Sequence, residues 1–276
     1  MTAREMVKVR LAPTLGSSMG RLELTRGVQA MGDRLVDGVV YREGAICPQP
    51  DWRPVRDGEL AEVVAYEMGP PGSTVDIAPA PAAFVDAIRA CGLVGGMTEQ
   101  QYAAFVRQPA YQAALEGALP QLWQFVQSAD GLQVLGTSVQ GGDLWSTTTH
   151  ADAGEPNRLS GLHIDNWDQL PLGERGRARR QLCINLGIED RFFVFARAEV
   201  ATIVGVLGES FERRQAYIGV GRVFFARFPD AAIVRVRVRP GEMYIAPTDN
   251  LLHDGSTVGS HSPDITLNLR GFFHVV

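Results

Sequence analysis

The chain has no excess of basic residues, no paired cysteines and no long apolar run, and each absence removes a class of function. Lys and Arg number 26 against 31 Asp and Glu, a formal charge of -5, so the surface lacks the cationic excess that a polyanion binder presents on one face. Nucleic acid is therefore not an expected partner. The three cysteines, Cys47, Cys91 and Cys183, are widely spaced and never arranged as CxxC, which excludes a zinc knuckle and a redox dithiol. They read as reduced core thiols. The opening "MTAREMVKVRLAPTLGSS" lacks the continuous apolar segment of a signal peptide, and no window approaches the length needed to cross a bilayer. The expectation is a soluble cytoplasmic protein with no membrane partner, and neither an internal repeat nor a low-complexity tract interrupts it.

What is present is ordinary globular material: 45% hydrophobic and 21% charged residues suffice to build a buried core. At 276 residues the chain fits one large domain. Residues 1–130 read as supporting strands and helices, and 131–276 as the core that carries the chemistry. Between residues 20 and 68 short apolar runs alternate with Gly, Asp and Pro, the pattern of strands, turns and one short helix. The stretch "GPPGSTVDIAPAPA", residues 69–82, is dense in Pro and Gly and reads as a connector.

Residues 82–130 read as mainly helical. Phe84, Ala87, Ile88 and Cys91 recur at helical spacing up to Gly92. Thr98 with Gln101 forms a capping box, and Pro120 suits the first turn of a further helix carrying Leu122, Trp123 and Val126. From Gly131 onward the segments "LQVLGTSV", "RQLCINLGI", "RFFVFA", "YIGVGRVFFARF", "AAIVRVRVR", "EMYIA" and "DITLNLRGFF" are short, β-branched or aromatic and bounded by turn residues. One helix, over about 198–208, is expected among them. Strands without intervening helices exclude repeated βαβ units and predict an antiparallel barrel or jelly roll, mainly β with helical additions. In "VRVRVR" the arginines 235, 237 and 239 alternate with valines and read as a solvated face.

Five histidines are present. In "GLHIDNWD" His163 and Asp165 stand two apart, and "PGEMYIAPTDNLLHDGSTV" supplies a distant His253 after a turn, a strand and a second turn. Two imidazoles and one carboxylate on one face of an octahedral ion leave three adjacent positions open, which suits ferrous iron more than zinc. His261 is the competing distal ligand. His253 is preferred because it follows a strand and turn and precedes Gly255, whereas His261 lies in a Ser- and Pro-containing loop.

With this order of residues the chain resembles the iron(II)/2-oxoglutarate-dependent oxygenase superfamily, whose pattern is His-x-Asp or His-x-Glu, a distant His, then an Arg or Lys on the final strand. The matching positions are His163, Asp165, His253 and Arg270, and the resemblance covers residues 130–276. It implies a double-stranded β-helix core, related to cupins, and an oxygenase using Fe(II), 2-oxoglutarate and O2. Such an enzyme oxidises an unactivated C–H bond of a small molecule and releases succinate and CO2. The retained Asp165 disfavours halogenation. Arg270 is the implied anchor for the far carboxylate of 2-oxoglutarate, through two parallel hydrogen bonds. Alternation in "ITLNLRGFF" points Thr266 and Asn268 the same way.

Thr266 and Asn185 are further cosubstrate candidates, and Trp167 and Asn166 candidate substrate contacts. The polar stretch 146–161 is a candidate lid. Two rival readings stand beside this one: a cupin-like metal enzyme that does not use 2-oxoglutarate, which Arg270 would separate, and a jelly-roll binding protein without metal, which the triad would separate. An amino acid or an intermediate of specialised metabolism fits the expected substrate.

Overall fold

A computed structural model describes residues 6–16, 20–32, 35–36, 38–67, 72–93, 95–150, 157–208 and 218–274. In chain order the elements that build the core are β1 (Lys8–Leu11), β2 (Leu22–Arg26), β3 (Arg53–Pro54), α1 (Asp57–Val63), β4 (Thr74–Pro79), α2 (Ala82–Ala90), α3 (Glu99–Phe105), α4 (Pro109–Ala118) and β5 (Val126–Gln140). They continue with β6 (Arg180–Asn185), β7 (Arg191–Glu199), α5 (Val200–Leu207), α6 (Ile218–Arg227), β8 (Ala232–Val238), β9 (Glu242–Ala246), β10 (Leu251–Ser256) and β11 (Asp264–Phe273).

Two sheets face each other. The first runs β1-β4-β9-β6-β11-β5 and the second β10-β7-β8-β2-β3. Consecutive strands of the C-terminal half alternate between the sheets: β6 lies in the first, β7 and β8 in the second, β9 in the first, β10 in the second and β11 in the first. This is the jelly-roll winding that the run of short strands predicts. The strands of each sheet pair antiparallel, apart from β1 with β4.

Alternation then sorts the side chains into three layers. Between the sheets, Ile77, Cys183 and Tyr244 meet Phe193, Phe195, Val234 and Val236. On the outer face of the first sheet, Ile265, Leu267 and Leu269 pack with Phe84, Ile88, Tyr111 and Leu122 from the helical segment. On the outer face of the second, Phe192, Val194 and Ile233 pack under Ile203, Val220 and Phe224 of α5 and α6. Burying each such side chain contributes about 1.5–3 kcal/mol. The arginines of β8 are less solvated than expected: Arg235 is sandwiched between Trp52 and Phe192, its guanidinium 4.6 and 4.4 Å from their rings, and pairs with Glu23.

Three expectations change. The 69–82 connector contains strand β4, because the apolar positions of "STVDIA" serve a sheet whose Pro79 falls at the strand's last residue, where a missing donor is tolerated. "YIGVGRVFFARF" is not a strand. Its described part forms α6, with Val220 and Phe224 one turn apart and buried. Glycines had masked that helical period. Leu119–Phe125 is a 3-10 helix that leads into β5 at Val126, and α4 precedes it. The capping box forms as read: Gln101 N donates to Thr98 Oγ1 and Thr98 N to Gln101 Oε1. All three cysteines are free, and among the described residues no helix is long and apolar enough to cross a membrane.

Candidate metal centre and its pocket

His163 and His253 are brought together by main chain. The two residues exchange both backbone hydrogen bonds, His163 N to His253 O at 3.0 Å and His253 N to His163 O at 2.8 Å, an isolated antiparallel bridge at the edge of β10. Their rings therefore lie on one face with centroids 4.5 Å apart. Two residues on, extended backbone returns Asp165 to the same face, held by Asp165 N donating to Thr248 O at 3.1 Å. One ligand atom from each of the three lies within 4.8 Å of the others.

The ring nitrogens are oriented for a metal. A carbonyl only accepts, so His163 Nδ1 donates to Gly161 O at 2.8 Å and His253 Nδ1 to Leu251 O at 3.2 Å. That leaves each Nε2 facing Asp165, 3.6 and 3.9 Å from its oxygens. Backbone acceptors of this kind fix the tautomer of metal-ligating histidines. Gly161 has φ +67°, and a Cβ there would strike the Ile46 carbonyl. Only glycine lets the segment turn that close and present its carbonyl to His163.

The charges are strongly coupled. Burial opposes a charge on His163, but the hydrogen bond to Asp165 and the negative field of Asp254 outweigh it and raise the ring to about 9. Burial and the positive field of His163 push His253 down to about 4. Burial also opposes the charge on Asp165, yet the hydrogen bond from His163 and the fields of both histidines hold it well below the usual carboxylate range. Burial raises Asp254 to about 6 against the field of His163. Two imidazoles and one carboxylate that converge in this way fit a divalent metal of the facial-triad type once His163 gives up its proton. All three side chains line a cavity.

That cavity, about 320 Å³, runs from the triad to Arg191, Tyr244 and Thr147, a size within the range of small-molecule sites. Arg191 opens β7, is buried, and pairs through Nε with Asp264 at 3.1 Å while Nη1 donates to Cys183 Sγ at 3.2 Å. Its charge is reinforced by Asp264 despite the cost of burial. A Cβ on Gly255 would collide with Thr147 Oγ1 and Arg191 Nη2, so this glycine leaves the room the guanidinium occupies.

Arg270 occupies a different place from the one expected of it. It is 0% exposed and absent from the cavity wall. Nη2 donates to Asp249 Oδ1 at 2.8 Å and to Arg179 O at 3.1 Å, and Nη1 to Thr248 Oγ1 at 3.3 Å. It lies behind Asp165, 3.9 Å from Oδ2. Asn185 is also structural: Nδ2 donates to Glu189 O and Val238 O, and Oδ1 accepts from Gly187 N. Thr266 and Asn268 do line the cavity, as does Trp167. Asn166 lines a second chamber, with Oδ1 accepting from Arg175 Nη2 at 2.8 Å. His261 is exposed in a loop, its N–H donating to Glu189, and it does not join the cluster of His163, Asp165 and His253. Of the candidate lid, residues 151–156 lie outside the described residues.

The feature that sequence reasoning missed is Arg191. Its signal, an arginine opening the apolar run "RFFVFA", is slight, and its partner Asp264 sits far along the chain.

No protein-family model matches this chain. No curated protein matches it either. Among solved structures the chain is similar to the Kdo hydroxylase KdoO, described as a non-heme Fe(II) alphaketoglutarate dependent dioxygenase in complex with alphaketoglutarate and Fe(III), at 14% identity over 74% of this chain and 81% of that one, TM-score 0.38. It is also similar to HygX from Streptomyces hygroscopicus with nickel and 2-oxoglutarate bound, at 13% identity over 73% of this chain and 83% of that one, TM-score 0.31.

Proposed function

We propose that this chain is a non-haem Fe(II)- and 2-oxoglutarate-dependent oxygenase acting on a small molecule. The observation that carries the reading is the convergence of two Nε2 atoms and the Asp165 carboxylate within 4.8 Å at the wall of a cavity whose far end holds the Arg191 guanidinium beside Asp264. His163, Asp165 and His253 would hold the iron. When bound with 2-oxoglutarate and O2, iron supplies the oxidising power to functionalise an unactivated C–H bond, with succinate and CO2 as coproducts.

The chain's own residues then have separable tasks. Gly161 and Leu251 carbonyls hold the imidazoles in register. Arg270 and Thr248 brace the back of Asp165. Arg191, not Arg270, is the guanidinium in reach of a ligand's far carboxylate, with the Thr147 and Thr266 hydroxyls beside it on the same wall. A dicarboxylate lying along the cavity thus has an anchor at one end and the triad at the other. Hydrogen bonds between a guanidinium and a carboxylate are charge-assisted, and burial strengthens them.

The test is an anaerobic titration of the metal-free protein with ferrous iron and then 2-oxoglutarate, followed by visible absorption. A weak charge-transfer band that needs both components and vanishes in Asp165→Ala supports the reading. Iron uptake without the band favours a cupin-like enzyme that does not use 2-oxoglutarate, and no uptake refutes a metal site.

A further inference from the structure

Beyond the triad a second chamber of about 600 Å³ opens, sharing Thr148, Thr149, His163, Asp165 and Trp167 with the inner cavity. Given the oxygenase reading, on which this inference rests, the inner cavity takes the cosubstrate and the outer one the substrate. We infer that the outer chamber binds a polyhydroxylated ring, a sugar or cyclitol, stacked on Trp167.

The first observation is Trp167 itself. Its side chain is 51% exposed, yet the loop that carries it is rigidly tied. Asn166 is held by Arg175 at 2.8 Å. Asp168 is held by Arg179 at 2.6 Å and by its own N–H donating to Asp249 at 3.2 Å. The Trp167 ring has the Arg270 guanidinium carbon 5.5 Å from its centroid. The indole is backed by a buried cation and lines both cavities. Gln169, which also lines the chamber, adopts φ +52°, a left-handed conformation rare for glutamine and maintained only where the surroundings impose it.

The second observation is the rest of the wall. Thr148, Thr149, Ser160, Asn166 and Gln169 present hydroxyl or amide groups, Arg42 and His150 add a guanidinium and an imidazole, and Leu162 and Ile164 are its aliphatic members. An apolar substrate would strip water from these groups without replacing their hydrogen bonds. A ring with hydroxyls at its rim and C–H bonds on its faces meets both demands: the C–H face lies on the indole and the rim meets the hydroxyl and amide groups. The same stacking would bring a ring C–H toward His163 and Asp165, which line the chamber as well as the inner cavity.

Saturation-transfer NMR on the full chain, with and without Zn(II) and 2-oxoglutarate, tests this against two panels. One holds methyl glycosides of glucose, mannose and galactose, glucuronate and myo-inositol; the other holds leucine and decanoate. The expected result is transfer to the ring C–H protons of at least one polyol, lost in Trp167→Ala, restored in Trp167→Phe, and undiminished by leucine or decanoate. Thermal midpoint and metal uptake serve as folding controls for the variants. Transfer that is unaffected in Trp167→Ala, transfer to leucine or decanoate in place of the polyols, or none to any polyol overturns the inference. If polyols bind through Trp167 but the iron and 2-oxoglutarate band never forms, the oxygenase reading fails and this one stands. If the band forms and polyols do not bind, the reverse holds.

Discussion

Asp165 Oδ1 lies 3.6 Å from His163 Nε2 while Asp165 Oδ2 lies 3.9 Å from His253 Nε2, so one carboxylate spans both imidazoles. Removing it should abolish the site and spare the fold, because main-chain hydrogen bonds at His163 and Asp165 hold the segment in place. Asp165→Ala is expected to weaken Fe(II) binding by more than about 100-fold, beyond what loss of an outer hydrogen-bonding partner costs. Calorimetric titration with unchanged circular dichroism would verify this. Near-parental affinity would remove Asp165 from the ligand set.

Metal uptake should depend on pH with a defined slope. In the metal-free protein His163 is raised to about 9 and His253 lowered to about 4. Between those values a cation must displace one proton, the one on His163. Apparent affinity is thus expected to rise about tenfold per pH unit through this window and to level off above pH 9, where His163 is already neutral. Stopped titrations in non-coordinating buffers at several pH values measure the slope, and a flat profile from pH 6 to 8 contradicts the assignment.

The two buried arginines should separate by experiment. Arg191→Leu combined with Asp264→Asn removes the cavity's guanidinium without stranding its partner. It should raise the 2-oxoglutarate concentration needed for the charge-transfer band by roughly 10–100-fold, the worth of a hydrogen bond to a charged group. Fe(II) affinity should hold. An unchanged requirement for 2-oxoglutarate would reject Arg191 as the anchor.

Arg270→Met, in contrast, leaves Asp249 buried without its cation, 2.8 Å from where Nη2 stood. Stability should fall by about 3–5 kcal/mol, with much of the loss recovered in Arg270→Met/Asp249→Asn. Urea denaturation of the two variants makes the comparison.

Gly255→Ala is the subtlest case. Its new methyl group would collide with Thr147 Oγ1 and Arg191 Nη2 and should displace the guanidinium. The expected outcome is about tenfold weaker 2-oxoglutarate binding with metal affinity preserved, read from the same anaerobic titrations.

Much of this architecture was legible in the chain because period and turn chemistry are local. The alternation of "ITLNLRGFF" puts Leu267 and Leu269 on one face and Thr266 and Asn268 on the other, and the fold packs the first pair against the helices and lines the cavity with the second. His163 and Asp165 needed only two-residue extended spacing to share a face. The role of Arg270 was not legible, since the same alternation that turns it inward cannot say how deep it lies or that Asp249 meets it first. Nor could any local pattern pair Arg191 with Asp264, whose contact exists only once β7 and β11 belong to facing sheets. The helix α6 escaped for a related reason: its β-branched and aromatic residues favour a strand in isolation, and packing beneath the second sheet decides otherwise.

The antiparallel bridge between His163 and His253 has a kinetic meaning as well. It closes a long loop, and the ligand set is scattered until that closure occurs, so a nascent or partly refolded chain cannot chelate through all three groups. Loop closure of this kind comes late, after local elements have formed. Acquisition of a metal signal during refolding is therefore expected to report when this long-range bridge has closed.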